Sequence, residues 1–271
     1  MTNKKLNKDI KPLKRFGQNY LVDKNILGKI ANEINPLENE WIVEIGPGQG
    51  ALTRFLYERT KNIIAVEIDK RVVENLSSEL SKIKILNEDF LELNLTEISK
   101  QVGSKLRIVG NIPYNLTSPI LFKLFHNLES INDTVLMVQN EVALRMTGKK
   151  GTKDYGILAV VLNYFAKVDL CFKVSPNVFY PKPNVNSAIV HLHFNKSLTD
   201  VEFNALFIRT VKACFGNRRK TLKNSLNNSI FGRLDFTDCG IDLSLRAEQL
   251  DLNEFIQLTQ FIREKKLESG E

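Results

Sequence analysis

The chain reads as an α/β protein, a doubly wound and mostly parallel sheet followed by a small all-helical domain. Three observations predict this. Short β-branched runs alternate with amphipathic stretches over the first two-thirds of the 271 residues, which is the pattern of a parallel sheet with helices on both faces. A glycine-rich turn follows the first of those runs and opens a helix, as it does in nucleotide-binding sheets. After Asn195 the β-branched runs give way to helical periods.

In chain order, Trp41–Ile45 is the first strand and Ala51–Arg59 the helix after the glycine turn. Ile63–Ile68, Ile83–Leu86, Leu106–Val109 and Thr134–Val138 are further buried strands, and Lys70–Leu80 and Pro119–Asn127 are helices between them. Val168–Val174 and Ser187–Phe194 are strands joined by a Pro-rich loop and not by a helix, so they are expected to pair antiparallel at one edge. Asp200–Cys214, Arg218–Asn227 and Leu252–Lys265 are the helices of the second domain. The division is placed between 195 and 200, giving a ligand-binding domain over 1–197 and a helical domain over 198–271.

Composition narrows the class. An apolar fraction of 43% and a charged fraction of 25% belong to a folded globular chain and not to a disordered one. No apolar run approaches the ~20 residues that span a bilayer. Met1–Lys14 is Lys-rich without an apolar segment, unlike a secretory signal. Cys171, Cys214 and Cys239 are far apart, forming neither a disulfide framework nor a metal motif, which points to the reducing cytoplasm. Cys214 reads as a core residue. His191 and His193 alternate along one strand and so share a face, but further ligands for a metal are not evident and none is expected.

The net charge is +7, and its distribution says more than its size. Phe203–Leu234 contains Arg209, Lys212, Arg218, Arg219, Lys220, Lys223 and Arg233 and no acid. Arg145, Lys149, Lys150 and Lys153 form another cluster, and eight basic residues face two acids between Met1 and Ile30. Any one of these is an ordinary solvated surface; together they suggest a polyanionic partner.

Glu44-Ile45-Gly46-Pro47-Gly48-Gln49-Gly50 is the glycine turn, at the carboxyl edge where open α/β sheets bind ligands. Ala51 completes the dinucleotide fingerprint. However, Pro47 has no N–H to offer a phosphate and Glu44 would repel one, whereas neither hinders a cationic ligand such as S-adenosylmethionine. Glu67, about 20 residues on, has the spacing of a ribose-binding acid. Asp89 follows the third strand and is placed to accept from an adenine amine. Each acid alone would be an ordinary surface charge; at successive strand ends they form a nucleoside-binding row.

Gly110-Asn111-Ile112-Pro113-Tyr114 follows the fourth strand. Its residue types suit a plain turn, but its position beside the donor site suits a methyl acceptor. An exocyclic amine such as adenine N6 is a poor nucleophile because its lone pair is delocalised. The Asn111 amide oxygen and a carbonyl at Ile112 or Pro113 would accept its hydrogens and expose the lone pair. Pro113 fixes the turn, and Tyr114 would stack on the base, a contact worth about 1–3 kcal/mol. Phe179, in Phe179-Tyr180-Pro181-Lys182-Pro183-Asn184-Val185-Asn186-Ser187, is the expected second face of a base sandwich around a flipped nucleotide.

These motifs, with Phe16-Gly17-Gln18-Asn19-Tyr20-Leu21, Tyr155-Gly156-Ile157-Leu158, Arg218-Arg219-Lys220-Thr221-Leu222-Lys223-Asn224-Ser225-Leu226 and Arg246-Ala247-Glu248-Gln249-Leu250, occur in one order. The chain resembles the ribosomal RNA adenine N6,N6-dimethyltransferase family from about Lys14 to Phe261, and most of all its KsgA-type branch, which acts on small-subunit (16S) rRNA. The resemblance implies a Rossmann-like class I S-adenosylmethionine-dependent methyltransferase domain with a helical RNA-binding domain behind it. It implies dimethylation of two adjacent adenosines in a hairpin loop near the 3′ end of small-subunit rRNA, in late assembly of the 30S subunit. Cofactor contacts are expected at Asn19, Leu21, Gly46, Glu67, Asp89 and Asn111, with residues 1–25 as an arm closing over the methionine end. The catalytic set is Asn111, Pro113, Tyr114 and Phe179, and the RNA contacts are Arg145, Lys149, Arg218, Arg219, Lys220 and Lys223. A monomer is expected, since no dimer seam is evident. Tyr20, Ile112 and Met146-Thr147-Gly148 depart from the family pattern of Phe, Leu and Ala-x-Pro-Gly.

Two other readings share these residues. Large-subunit rRNA methyltransferases that confer macrolide resistance carry the same glycine turn, Asn-Ile-Pro-Tyr and Phe-x-Pro-Lys-Pro motifs; the Tyr155-Gly156 segment and the Arg-Arg-Lys run favour the small-subunit enzyme. A non-catalytic RNA-binding assembly or transcription factor would keep the fold, but intact Asn111 and Tyr114 argue for retained chemistry.

Overall fold

The computed structural model describes residues 11–13, 16–195, 199–217 and 219–269. The strands among them are β1 (Tyr20–Leu21), β2 (Trp41–Ile45), β3 (Ile63–Val66), β4 (Lys84–Leu86), β5 (Leu106–Asn111), β6 (Ile131–Gln139), β7 (Ala166–Val174), β8 (Phe179–Tyr180) and β9 (Ser187–Phe194). The helices are α1 (Lys24–Ile34), α2 (Ala51–Tyr57), α3 (Lys70–Glu79), α4 (Leu95–Val102), α5 (Thr117–Phe125), α6 (Asn140–Met146), α7 (Ile157–Phe165), α8 (Val201–Phe215), α9 (Leu222–Asn227) and α10 (Leu252–Ser269).

The main sheet has the order β4-β3-β2-β5-β6-β9-β7, and β1 pairs with β8 in a separate two-stranded ribbon. From β4 to β6 every pairing is parallel. The strands β2, β3 and β5 are buried along almost their whole length, because helices cover both faces; their near-continuous apolar sequence is the consequence. The order reverses between β2 and β5, the point where such sheets bind ligands. The last two strands are neighbours at one edge of the sheet, as expected; β9 stands between β6 and β7 and runs antiparallel to β6.

One face of the sheet presents Ile42, Ile63, Ala65, Val109, Val135, Met137 and Ile189 to Leu27, Ile30, Ala31 and Ile34 of α1 and to α2 and α3. The α1 stripe has the i, i+3, i+4, i+7 spacing of an amphipathic helix, and Asp23 caps it by accepting from the amides of Asn25 and Ile26. α7 carries no such stripe. Its sequence is apolar all round and its interior is buried, so period alone could not separate it from a strand.

The described residues form two compact units. One comprises those up to Ala143 with Asp169–Phe194, the other Leu144–Val168 with those from Asn195 onward. The expected division at 197/198 lies outside the described residues, and the inclusion of Leu144–Val168 in the helical unit was not expected. Within that unit Tyr164 stacks on Phe207 at 4.0 Å and donates to Asn204 Oδ1 at 2.9 Å. Tyr155 donates to the Leu250 carbonyl at 2.8 Å. The Tyr155 motif is thus accounted for by packing. Cys214 is a core residue, 1% exposed.

Candidate active site

The carboxyl ends of β2, β3, β4 and β5 open on a cavity of about 300 Å³, lined by Asn19, Leu21, Gly46, Glu67, Asp89 and Asn111 among others. All six cofactor positions anticipated from sequence are therefore brought together. The turn after β2 is held by positive φ at Gly46, Gly48 and Gly50. At Gly46 an added Cβ would meet no atom within 4 Å, so its backbone is bare toward the cavity. At Gly48 a Cβ would stand 2.8 Å from the Tyr20 ring; glycine there lets the arm pack directly on the turn.

Glu67 is 5% exposed and its carboxylate accepts from the amides of Gly48 (3.2 Å) and Asp69 (2.9 Å). Burial raises its pKa, against those two hydrogen bonds. Asn87 Nδ2 donates to the Glu67 carbonyl at 2.9 Å and Asp89 Oδ1 accepts from the Leu91 amide at 2.8 Å. The acid row is thus tied to the glycine turn and to the next strand end. Glu44 is 2% exposed, its Oε2 has no hydrogen-bond partner, and burial, with Glu67 nearby, raises its pKa to about 7.

Among the described residues, the cavity lining contains Glu44, Glu67, Glu88 and Asp89 and no Lys, Arg or His. Such a lining disfavours a pyrophosphate and favours a cation. Bare backbone at Gly46, acids at ribose and adenine spacing, and a buried carboxyl oxygen of Glu44 without a partner fit S-adenosylmethionine.

The arm contributes Gln18 to Leu21. β1 pairs antiparallel with β8, Tyr20 opposite Tyr180 and Leu21 opposite Phe179. Gln18 Nε2 donates to Asp69 Oδ2 at 3.1 Å, and Arg71 grips the same carboxylate at 3.0 and 2.6 Å. The Arg71 and Gln18 hydrogen bonds hold the Asp69 pKa below its ordinary value. This Gln18–Asp69–Arg71 set was not anticipated, although Glu67-Ile68-Asp69-Lys70-Arg71 carries its signal as two acids followed by two bases at a strand end.

Asn111 ends β5, opposite Met137 of β6. Its Nδ2 donates to the Asn19 carbonyl at 2.9 Å. A carbonyl can only accept, so this bond fixes which end of the amide is which and leaves Oδ1 as the acceptor for a substrate. Pro113 and Tyr114 also line the cavity. The Pro113 carbonyl accepts from the Leu116 amide at 2.9 Å in the short 3₁₀ turn that leads into α5. Tyr114 Oη lies 2.7 Å from Ser187 Oγ.

Phe179 departs from expectation. It does not line the cavity; it is 5% exposed in the apolar cluster with Leu21, Leu27, Val174 and Ile189. It pairs with Leu21 of the arm, which shares that cluster. Of the expected RNA contacts, Arg145, Lys149, Arg219, Lys220 and Lys223 are exposed, and Arg218 lies outside the described residues. Among the described residues no group of three or more His, Cys, Asp or Glu side chains is placed to hold a metal, and no helix is long and apolar enough to cross a membrane.

Comparison with known proteins agrees with this geometry. The model of the family described as ribosomal RNA adenine dimethylase matches residues 10–264. A protein named ribosomal RNA small subunit methyltransferase A from Francisella tularensis is 38% identical over 256 residues, covering 93% of this chain and 98% of the relative. One of the same name from Chlorobium phaeobacteroides is 41% identical over 250 residues, covering 92% and 93%. Among solved structures, a dimethyladenosine transferase from Plasmodium falciparum superposes with a TM-score of 0.76 at 24% identity, covering 90% of this chain and 98% of the other. The 23S rRNA methyltransferase ErmE superposes at 0.65 with 25% identity, covering 90% and 99%. With the class I methyltransferase fold, an acid-lined nucleoside cavity and Asn-Ile-Pro-Tyr at its edge, the chain belongs to the ribosomal RNA adenine dimethylase family.

Proposed function

We propose that this S-adenosylmethionine-dependent rRNA adenine N6,N6-dimethyltransferase acts on small-subunit rRNA, on two adjacent adenosines of a hairpin loop near its 3′ end, during late 30S assembly in the cytoplasm. The observation that carries the chemistry is the oriented Asn111 amide at the edge of the cavity. The 38–41% identity to relatives named for the small subunit supports the choice of RNA over the large-subunit alternative, to which the likeness is 25%.

Glu67 and Asp89 would hold the ribose and adenine of the cofactor, Asn19, Leu21 and Gly46 its methionine end. When bound, the cofactor supplies an electrophilic methyl carbon on a sulfonium. The chain's own residues prepare the acceptor. Asn111 Oδ1 accepts one N6 hydrogen of the flipped adenine and the Ile112 carbonyl accepts the other. Ile112 is the better second acceptor because the Pro113 carbonyl already receives the Leu116 amide. With both hydrogens held, the nitrogen lone pair is turned out of conjugation. No imidazole lines the cavity and none is required, since the amine becomes acidic once alkylated and its proton passes to water. Positioning then supplies most of the acceleration. Stacking falls to Tyr114, and the exposed basic residues Arg145, Lys149, Arg219, Lys220 and Lys223 would engage phosphates, together with Arg218.

Radiolabelled methyl transfer to immature 30S particles, naked 16S-type rRNA and 50S particles tests the reading. Label in the 30S sample alone is expected. Label in 50S rRNA would favour the resistance-type enzyme, and no label anywhere would favour a binding factor.

A further inference from the structure

β5 and β6 run parallel and end at the cavity, with Asn111 opposite Met137. β9 runs antiparallel to β6, so its first residue, Ser187, opposite Gln139, arrives at that same edge. Ser187 is 0% exposed, and its Oγ lies 2.7 Å from Tyr114 Oη. Nothing in the chemistry derived above uses this hydroxyl.

The backbone at Tyr114 is fixed by the 3₁₀ turn, in which Leu116 N–H donates to the Pro113 carbonyl and Thr117 Oγ1 to the Tyr114 carbonyl. Those bonds hold the root of the side chain. They do not set where the ring swings about χ1. The Ser187 hydroxyl holds the far end, and with both ends held the long axis of the ring is fixed, leaving only rotation about that axis. Each hydroxyl can serve as donor or acceptor, so this single bond satisfies both in a half-buried place where an unpaired hydroxyl is costly.

We propose that Ser187 is a positioning residue that fixes the χ1 swing of Tyr114, and with it the place of the ring over the target base, and so governs capture of the RNA base and not binding of the cofactor. The proposal rests on Tyr114 being the stacking partner, as put forward above. It explains why tyrosine is used where a phenylalanine ring would stack as well.

Full-length Ser187→Ala, Tyr114→Phe and the double variant test it, with kcat/KM for immature 30S particles, cofactor affinity by calorimetry, and Tyr114 ring dynamics by NMR on 13C-tyrosine-labelled protein without RNA. Each single change is expected to lower kcat/KM about tenfold, the loss of one hydrogen bond. The double variant is expected to be no worse than either single one, cofactor affinity to be unchanged, and the Tyr114 side chain of Ser187→Ala to exchange faster between χ1 rotamers. Ser187→Thr, which keeps the hydroxyl, should recover part of the loss. Additive losses, a matching loss of cofactor affinity, or unaltered ring dynamics in Ser187→Ala would overturn the proposal. Because the ring is read without RNA, a chain that methylates no rRNA would sink the functional reading while the tether itself was still decided.

Discussion

At the scale of single residues, the site separates orientation from charge. Asn111 carries no charge, and its usefulness depends on which end of the amide faces the substrate; the Asn19 carbonyl decides that at 2.9 Å. Asn111→Ala is expected to lower turnover by about two orders of magnitude, as loss of an oriented polar contact does elsewhere, with cofactor affinity changed far less. Near-normal turnover by rapid-quench assay would refute the role. Tyr114 and Phe179 should now part company. Tyr114→Ala is expected to abolish the fluorescence change of 2-aminopurine placed at the target site. Phe179→Ala is expected to lower folding stability by about 3–5 kcal/mol, read by denaturant unfolding, because that ring is in the apolar cluster. The sequence marked both aromatics through their motifs. It could not show that pairing of Leu21 with Phe179 would bury one of them, because that contact spans most of the sheet domain.

At the scale of elements, the strands and the glycine turn were legible and the arm was only partly so. Apolar runs fully buried on both faces state their own position, as in β2, β3 and β5. Helix ends were less exact. The expected helix from Arg218 begins at Leu222, where the Thr221 side chain accepts from the Asn224 amide as its cap. The arm is tied to the sheet domain by Gln18–Asp69–Arg71, a set formed by residues 51 apart that no local pattern predicts. Arg71→Ala removes one half-exposed ion pair and should weaken cofactor affinity up to about fivefold, measured by calorimetry, with faster hydrogen exchange over 16–21. Around α9, Arg219 and Lys220 are exposed cations. Replacing both by Ala should flatten the salt dependence of rRNA binding by about 1.5 units of slope, whereas an unchanged slope would make them mere surface charges.

At the scale of the whole molecule, the edge of the sheet remote from the cavity carries a buried ionic network that the sequence concealed. His191, read from its alternation as an ordinary strand residue, has Nε2 2.7 Å from Asp133 and Nδ1 2.8 Å from Glu33. Asp133 in turn accepts from Arg107 at 2.8 and 2.7 Å, and Arg107 also reaches Glu40 at 2.8 Å. His193 stacks near His191 at 4.0 Å and pairs with Asp169. Burial alone would lower the His191 pKa, but its two carboxylate partners outweigh burial and raise it. Burial would raise that of Asp133, but His191 and Arg107 hold it at about 2. The His191 contribution to stability is therefore complete below the ordinary histidine value and is lost as pH rises through the raised one. The Asp133 contribution is complete above the ordinary carboxylate range and is lost as pH falls through about 2. Unfolding free energy should thus decline as pH rises above the ordinary histidine value in the wild type and not in His191→Gln. Asp133→Ala should cost about 3–5 kcal/mol by taking from Arg107 and His191 the buried carboxylate they share. Only the pairing of β5 with β6 and β6 with β9 reveals this network, since its members are up to 158 positions apart.

The bond from Asn111 to the carbonyl of Asn19 joins residues 92 apart in the chain. The amide proposed to hold the substrate amine therefore takes its bearing from a stretch that contributes nothing to the parallel sheet. A version shortened past Asn19 is expected to keep its parallel scaffold and yet lose that aim: a chain that folds and leaves its substrate unmarked.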